Sequence, residues 1–316
     1  MAITELITVS DTNETPINIQ VSSNYVYYYC YYSVPGKIVA VDKDTLIEVA
    51  NAHITLGYIN NFSVKNDNKI AVHTSITSPD RMQGKILSIT YDNDLEKFVF
   101  STISETPFYT WTKSNTNGCT CTDFFGYFAD DSYIRILKII DGSMQSHSLY
   151  PSRVVALNAV NNYLFVVSIP EYEPYPMTLG AYSIGVDGTL TLIDSFNFEG
   201  LAGYNALWGF YVSPSYTTYL RDKVLSFNGV SLTDEGTLSK SYADLRGLGN
   251  NFVEAFSGTE ENVLRVYSII GAVDSVRDTY SVSNGLSICA TMGMVGNNLY
   301  ACRIVDTQSL SKFILT

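Results

Sequence analysis

The chain has 316 residues, of which 46% are hydrophobic and only 16% charged, enough apolar material for a large core and not the composition of a disordered polymer. A formal net charge of −12 with no basic run excludes broad phosphate neutralisation, so no nucleic-acid partner is expected. No stretch approaches the roughly 18 uninterrupted apolar residues of a membrane-spanning helix.

At the N-terminus, MAITELITVSD lacks the basic and apolar regions of a signal peptide, which points to the cytoplasm or to a particle such as a virion assembled from it. Helical periodicity is almost absent throughout. Short β-branched and aromatic runs alternate with Asn, Gly, Asp and Ser clusters, the pattern of many strands joined by tight turns. TELITVS (4–10) is the first such run. NIQVSSNYVYYY (18–29) follows as a hairpin with an Asn-containing turn, then KIVAVDKDTLIEVA (37–50) as a second hairpin.

The two hairpins then recur. The first type returns in NFSVKNDNKIAVH (61–73), LNAVNNYLFVV (157–167) and GMVGNNLYACR (293–303), where Asn tolerates the left-handed backbone of the turn. The second returns in KILSITYDNDLEKFVF (85–100), YIRILKIIDGSMQSHSLY (133–150), LGAYSIGVDGTLTLIDSF (179–196), KVLSFNGVSLTDEGTLSKSYA (223–243) and NVLRVYSIIGAVDSVRDTYSV (262–282). A spacing of about 40 to 50 residues with four strands per unit is the propeller period.

The C-terminal SLSKFILT (309–316) is half of a seventh second hairpin, and TELITVS is the free strand able to complete it. Pairing the two closes a ring and removes the sheet edges. The expected fold is therefore all-β: one domain, 1–316, forming a seven-bladed β-propeller of four-stranded antiparallel blades closed by the N-terminal strand. The innermost strand of the sixth unit, near Leu245 to Asn250, is poorly marked, which leaves a six-bladed ring as the alternative.

Between Tyr25 and Tyr32 six of eight residues are tyrosine. The repeat makes this the second strand of the first blade, covered on both faces by neighbouring blades. Tyr25, Tyr27, Tyr29 and Tyr31 are expected to face one neighbour. Val26, Tyr28, Cys30 and Tyr32 are expected to face the other, the ring-closing blade.

The repeats resemble the YncE-like, WD40-like and lactonase-like propeller superfamily. AYSIGVDGTLTLIDSFNFEG (181–200) is most similar to a blade of the lactonase type. Gly-His…Trp-Asp pairs, the kelch double glycine and the sialidase box are absent, so the resemblance implies a fold and carries over no catalytic residue.

No constellation points to a reaction. His53, His73 and His147 are scattered, and no His-x-x-x-His or Cys-x-x-Cys spacing exists, so no metal or cofactor is expected. Cys119 and Cys121 fall on one face of a strand and read as small buried residues. Cys289 and Cys302 lie on adjoining strands in a diagonal relation that leaves little room for a disulfide. Asp92 and Asp94 sit at a turn, where Asp is favoured for backbone reasons, and with Asp130 and Asp131 they lack a calcium loop.

Function is then sought in loops longer than their counterparts in other repeats. TSITSPDRMQGK (74–85) and SIPEYEPYPMTLG (168–180) stand out. Arg81 from the first and Tyr172, Glu173 and Tyr175 from the second are the candidate partner-binding residues. The blade-connecting aromatics Tyr58, Trp111, Tyr204 and Trp208 come next. The expected role is a non-catalytic binding or assembly module that recognises a protein or glycan through one face. A virion surface or host-attachment protein is a special case suggested by the Tyr-rich, His-poor composition. The alternatives are a lactonase-like enzyme acting on a small sugar-derived substrate and a purely structural subunit.

Overall fold

A computed structural model describes residues 3–10, 16–30, 35–54, 57–77, 80–110, 118–170, 177–198, 210–220, 223–237, 244–248, 251–257, 262–270, 273–281, 292–305 and 307–316. Every regular element among them is a strand. The first, β1 (Ile3–Ser10), precedes seven sheets. Blade one is β2 (Pro16–Val21), β3 (Tyr25–Cys30), β4 (Lys37–Asp42) and β5 (Glu48–His53). Blade two is β6 (Tyr58–Asn66), β7 (Lys69–Thr77), β8 (Asp80–Asp92) and β9 (Lys97–Glu105), with a short extra strand β10 (Tyr109–Thr110) on β8. Blade three is β11 (Cys119–Cys121), β12 (Phe125–Asp130), β13 (Tyr133–Lys138) and β14 (Met144–Ser148).

Blade four is β15 (Ser152–Val160), β16 (Tyr163–Pro170), β17 (Met177–Ile184) and β18 (Leu190–Phe198). Blade five is β19 (Phe210–Val212), β20 (Thr217–Leu220), β21 (Lys223–Phe227) and β22 (Leu232–Thr237). Blade six is β23 (Asp244–Leu248), β24 (Asn251–Ser257), β25 (Asn262–Ile270) and β26 (Val273–Ser281). Blade seven is β27 (Met292–Val295), β28 (Asn298–Val305) and β29 (Thr307–Leu315), completed on its outer edge by β1.

The fold is the expected seven-bladed β-propeller. Each innermost strand touches the next: β2 against β6, then β11, β15, β19, β23 and β27, which returns to β2. The ring is sealed where β1 runs antiparallel to β29, from Ile3 opposite Leu315 to Ser10 opposite Ser309. β23 supplies the weakly marked inner strand of blade six, which settles the count at seven rather than six. Asn161 adopts the left-handed φ of +53° that its turn requires.

The core lies between blades. Tyr27 packs with Ile38, Ile59, Phe62 and Val72 toward blade two, with Tyr25 and Tyr29 half-buried beside it. Val26, Tyr28 and Cys30 pack with Tyr300 and Leu310 of the ring-closing blade. The two faces of the tyrosine run therefore divide as the alternation of a strand demands. Tyr31 and Tyr32 lie outside the described residues.

The same wedge recurs at the third residue of the second strand in blades one, three, five and seven, as Tyr27, Tyr127, Tyr219 and Tyr300. All four are fully buried. Blades diverge with radius, and a large ring fills the gap that an aliphatic side chain would leave.

One expectation fails. Residues 74–85, read as a long loop, are mostly strand. Thr74 pairs with Gln83, Ser75 with Met82, Ile76 with Arg81 and Thr77 with Asp80. β-Branched Thr74, Ile76 and Thr77 favour the extended backbone, so β7 and β8 continue outward as a hairpin.

Candidate functional site

In this topology the turns within hairpins emerge on one face of the ring. The connections from the second to the third strand, and from one blade to the next, emerge on the other, which we term the connecting face. Blade two reaches further toward the connecting face than several of its neighbours. Its middle strands form eight residue pairs, against five, six, six and four in blades one, three, four and five.

The extended tip is annexed by β10. After β9 the chain is pinned by Thr106: its N–H donates to the Gly84 carbonyl (2.9 Å), its Oγ1 accepts from the Gly84 N–H (3.0 Å), and its carbonyl accepts from Gln83 Nε2 (2.9 Å). Thr106 and Gln83 are buried, so these groups gain from being mutually satisfied. The chain can then pair Tyr109 with Met82 and Thr110 with Arg81.

Tyr109 faces blade three. Its hydroxyl lies 2.7 Å from His73 Nε2, and the Arg135 guanidinium sits 5.5 Å from its ring centre. Tyr133 flanks the same guanidinium at 5.2 Å. Arg135 is held in this slot from below. Its Nε donates to Asp130 Oδ2 at 2.7 Å, Nη2 approaches the same oxygen at 2.5 Å, and Nη1 donates to Ser146 Oγ at 2.8 Å. A planar guanidinium fixed by a carboxylate and packed against two rings is preorganised, with little rotamer freedom left to lose on binding.

The electrostatics favour recognition over proton transfer. Burial lowers His73 to about 3, so the imidazole is neutral at ordinary pH. Burial, with Asp130 adding to it, holds the Tyr109 phenol well above its usual value. Burial also raises Asp130, against the opposing pull of Arg135. Phe108 and Tyr133 are exposed, while Tyr109 and Arg135 are half-buried.

Arg81 is exposed on β8. It is adjacent to Met82, the partner of Tyr109, so alternation turns it to the opposite side of the sheet from the Tyr109 and Arg135 cluster. Tyr58 opens β6, exposed, opposite Ser75, which is itself opposite Met82; Tyr58 and Tyr109 therefore share one cross-strand row. Trp111 follows β10 directly in sequence but lies outside the described residues, as do Tyr172, Glu173, Tyr175, Tyr204 and Trp208.

Sequence reasoning missed Phe108, Tyr109, Tyr133 and Arg135. A signal was present in each case. The segment 106–118 between blades two and three is long and begins Thr-Pro-Phe-Tyr. Tyr133 and Arg135, two residues apart on a strand, share a face.

The remaining candidates have structural roles. Asp130 and Asp131 face Arg135 and Arg153 rather than a shared ion position. Asp92 Oδ1 accepts from the N–H groups of Asp94 and Leu95, a turn contact. No cluster of three metal-ligating side chains occurs among the described residues. His53 Nδ1 contacts the Pro35 carbonyl (3.0 Å), and His147 packs edge-on against Tyr182.

Cys119 and Cys121 are buried free thiols directed at the Ala71 and Lys69 carbonyls. Burial raises Cys121 to about 12, which keeps the thiol protonated and inert. The diagonal relation of Cys289 to Cys302 lies outside the described residues. The described side chains of the innermost strands include Lys65 and Arg153 but no Asp, Glu or His.

No family model matches the chain, and no curated protein matches it in sequence. Solved structures do match in fold. BamB from Moraxella catarrhalis is 12% identical with a TM-score of 0.56, the match covering 99% of this chain and 98% of that one. The WD40 domain of Toxoplasma gondii coronin is 8% identical with a TM-score of 0.59, covering 99% of this chain and 86% of that one. At such identities the likeness is one of fold, and both are consistent with a β-propeller. No helix among the described residues is long and apolar enough to cross a membrane.

Proposed function

We propose that the chain is a non-catalytic binding module whose partner, a protein or a glycan, engages the connecting face where blade two overhangs blade three. The observation that carries this reading is the Asp130-anchored Arg135 lying against the rings of Tyr109 and Tyr133, with exposed Phe108 preceding Tyr109 in the chain. Rigid aromatics beside a fixed arginine are the side chains that dominate binding hot spots, and they suit the faces of sugar rings equally well. Among the described residues such an extra strand occurs only in this blade, an addition to the repeat of the kind that serves function rather than the ring. On this reading residues 1–316 act as one domain, supported by the closure of β1 on β29. The virion-surface role is a narrower form of the same reading, motivated by composition alone.

The test is a glycan array and a quantitative pull-down run in parallel with the wild-type chain, Tyr133→Ala and Arg135→Met. A ligand held by the wild type and weakened at least tenfold by both variants supports the site. A ligand held equally well by all three overturns it. A lactonase-like reading would instead require turnover of a small lactone by the wild-type chain.

A further inference from the structure

The opposite face carries a second feature. The turn between the third and fourth strands of blades one to five carries an exposed aliphatic side chain: Ile47, Leu95, Ile140, Val186 and Val230, with exposures from 57% to 103%. The turns themselves are built by other residues. Asp42 Oδ1 accepts from the N–H of Asp44 and Thr45, Asp187 Oδ1 from that of Thr189, and Asn228 Oδ1 from those of Val230 and Ser231. Asp, Asn and Gly account for the backbone here, and none of the five aliphatics contributes to the core. Single exposed aliphatics are ordinary. Recurrence in the same turn of five successive blades, all on one face, is not.

A sixth exposed apolar group adjoins one of these turns. Phe124, also exposed, lies in the first turn of blade three, and its carbonyl accepts from the N–H of Ile139 (2.9 Å), next to Ile140. The blade-four turn leans on blade three, where Gln145 Nε2 donates to the Asp187 carbonyl (2.8 Å). Gly188, at φ +87°, leaves room there for the Phe125 ring, which a Cβ would approach to 2.8 Å.

Charge identifies what would cover such a surface. The hairpin turns of blades one to five contain Asp44, Asp67, Asp94, Glu96, Asp123, Asp141 and Asp187 against Lys43 alone, 7 − 1 = 6 net negative charges. The strand residues adjoining these turns add Asp42, Glu48 and Asp92 against Lys69, Lys97 and Lys138, so the excess stays at 10 − 4 = 6. A second copy would bring like charges together, and an anionic membrane would be repelled. A protein surface of apolar side chains bordered by lysine and arginine complements both properties.

We infer that the hairpin-turn face is a second docking surface, for a partner protein that presents a basic, apolar segment. It is independent of the site at blades two and three.

The probe is a fluorescent amphipathic helix of leucine and lysine, with a leucine–glutamate helix of the same pattern as its control, measured by anisotropy against the full chain. Binding of the lysine helix is expected to weaken at least tenfold in Ile140→Ser/Val186→Ser/Val230→Ser. It is also expected to weaken severalfold in Asp94→Asn/Asp187→Asn and to fall with salt, while Phe108→Ser on the opposite face leaves it unchanged. Equal affinity for both helices, or affinity unmoved by the triple serine variant, overturns the inference. So does a reversible dimer in sedimentation that this variant abolishes, which would make a second copy the occupant. Binding to zwitterionic or anionic vesicles that depends on the same three residues would make it a lipid surface and overturn it equally. Circular dichroism confirms that the variants, altered only at exposed positions, are folded.

Discussion

The alternate-blade tyrosines offer a controlled comparison. Tyr27 and Tyr127 occupy equivalent positions in blades one and three, and both are fully buried. Their hydroxyls differ. Tyr27 donates to Asp67 Oδ1 at 2.9 Å. Burial, with the Asp67 carboxylate, pushes its phenol up, so it remains a donor throughout the working pH range. The Tyr127 hydroxyl has no protein partner among the described residues, and the residue belongs to a core cluster with Phe125, Leu164, Val166 and Tyr182. Substitution by Phe removes one oxygen and leaves each ring in place.

At position 27 the loss is a hydrogen bond to a charged acceptor, normally about 1.5–3 kcal/mol. Asp67 keeps the Ser22 and Asn24 donors, which places the expected cost of Tyr27→Phe near the lower bound, about 1.5 kcal/mol. At position 127 the substitution removes a buried polar atom that gains nothing, so Tyr127→Phe should be neutral or stabilising by up to about 1 kcal/mol. The assay is the urea midpoint at fixed slope, with thermal unfolding as a second reading; for a chain this long 1.5 kcal/mol corresponds to only about 2 °C. Equal destabilisation by both variants would refute the reasoning, since it would mean that Tyr127 is hydrogen-bonded as well. A neutral Tyr27→Phe would show that the Asp67 contact contributes nothing net. Asp67→Asn in a double-mutant cycle isolates the coupling.

Three further outcomes are expected. His73 is held neutral at about 3 beneath Tyr109 and Phe128, well below its value in an unfolded chain near 6.5. Between these values the unfolded state binds the extra proton, so this contribution is complete above pH 6.5 and declines as pH falls, by about 1.4 kcal/mol per unit. His73→Gln should flatten the stability profile between pH 6.5 and 4, and an unchanged slope would exclude His73 as its cause. A Cβ on Gly84 would lie 2.5 Å from the Phe128 ring. Gly84→Ala should therefore cost about 1–3 kcal/mol, partly recovered by Phe128→Leu, as read from denaturant midpoints. Deleting residues 1–10 exposes the whole edge of β29, so the truncated chain should aggregate or unfold at lower temperature, and a peptide of residues 1–12 should restore it.

The sequence by itself determined the repeat, and with it the fold. Strand periodicity and Asn- and Gly-bearing turns are local properties, so the four-stranded unit, the closure of β1 on β29 and the two-sided burial of Tyr25 to Cys30 could be read from spacing, while β23 was needed to fix the count at seven rather than six. The reading failed at 74–85 because Ser-Pro-Asp in the middle of the stretch looks like a loop. Only pairing of Thr74 with Gln83 and Ile76 with Arg81 decides that the flanks are extended. The site was hidden for a related reason. Arg135, Asp130, Tyr133, Tyr109 and His73 come from four strands in two blades, and a contact between strands of different blades leaves no periodic trace in either. Tertiary structure also decided which carboxylates have a cation beside them: Asp130 and Asp131 are consecutive in sequence, yet each faces an arginine. It decided, finally, that the aliphatics of five turns share one face, because only closure of the ring makes the ends of separate hairpins neighbours.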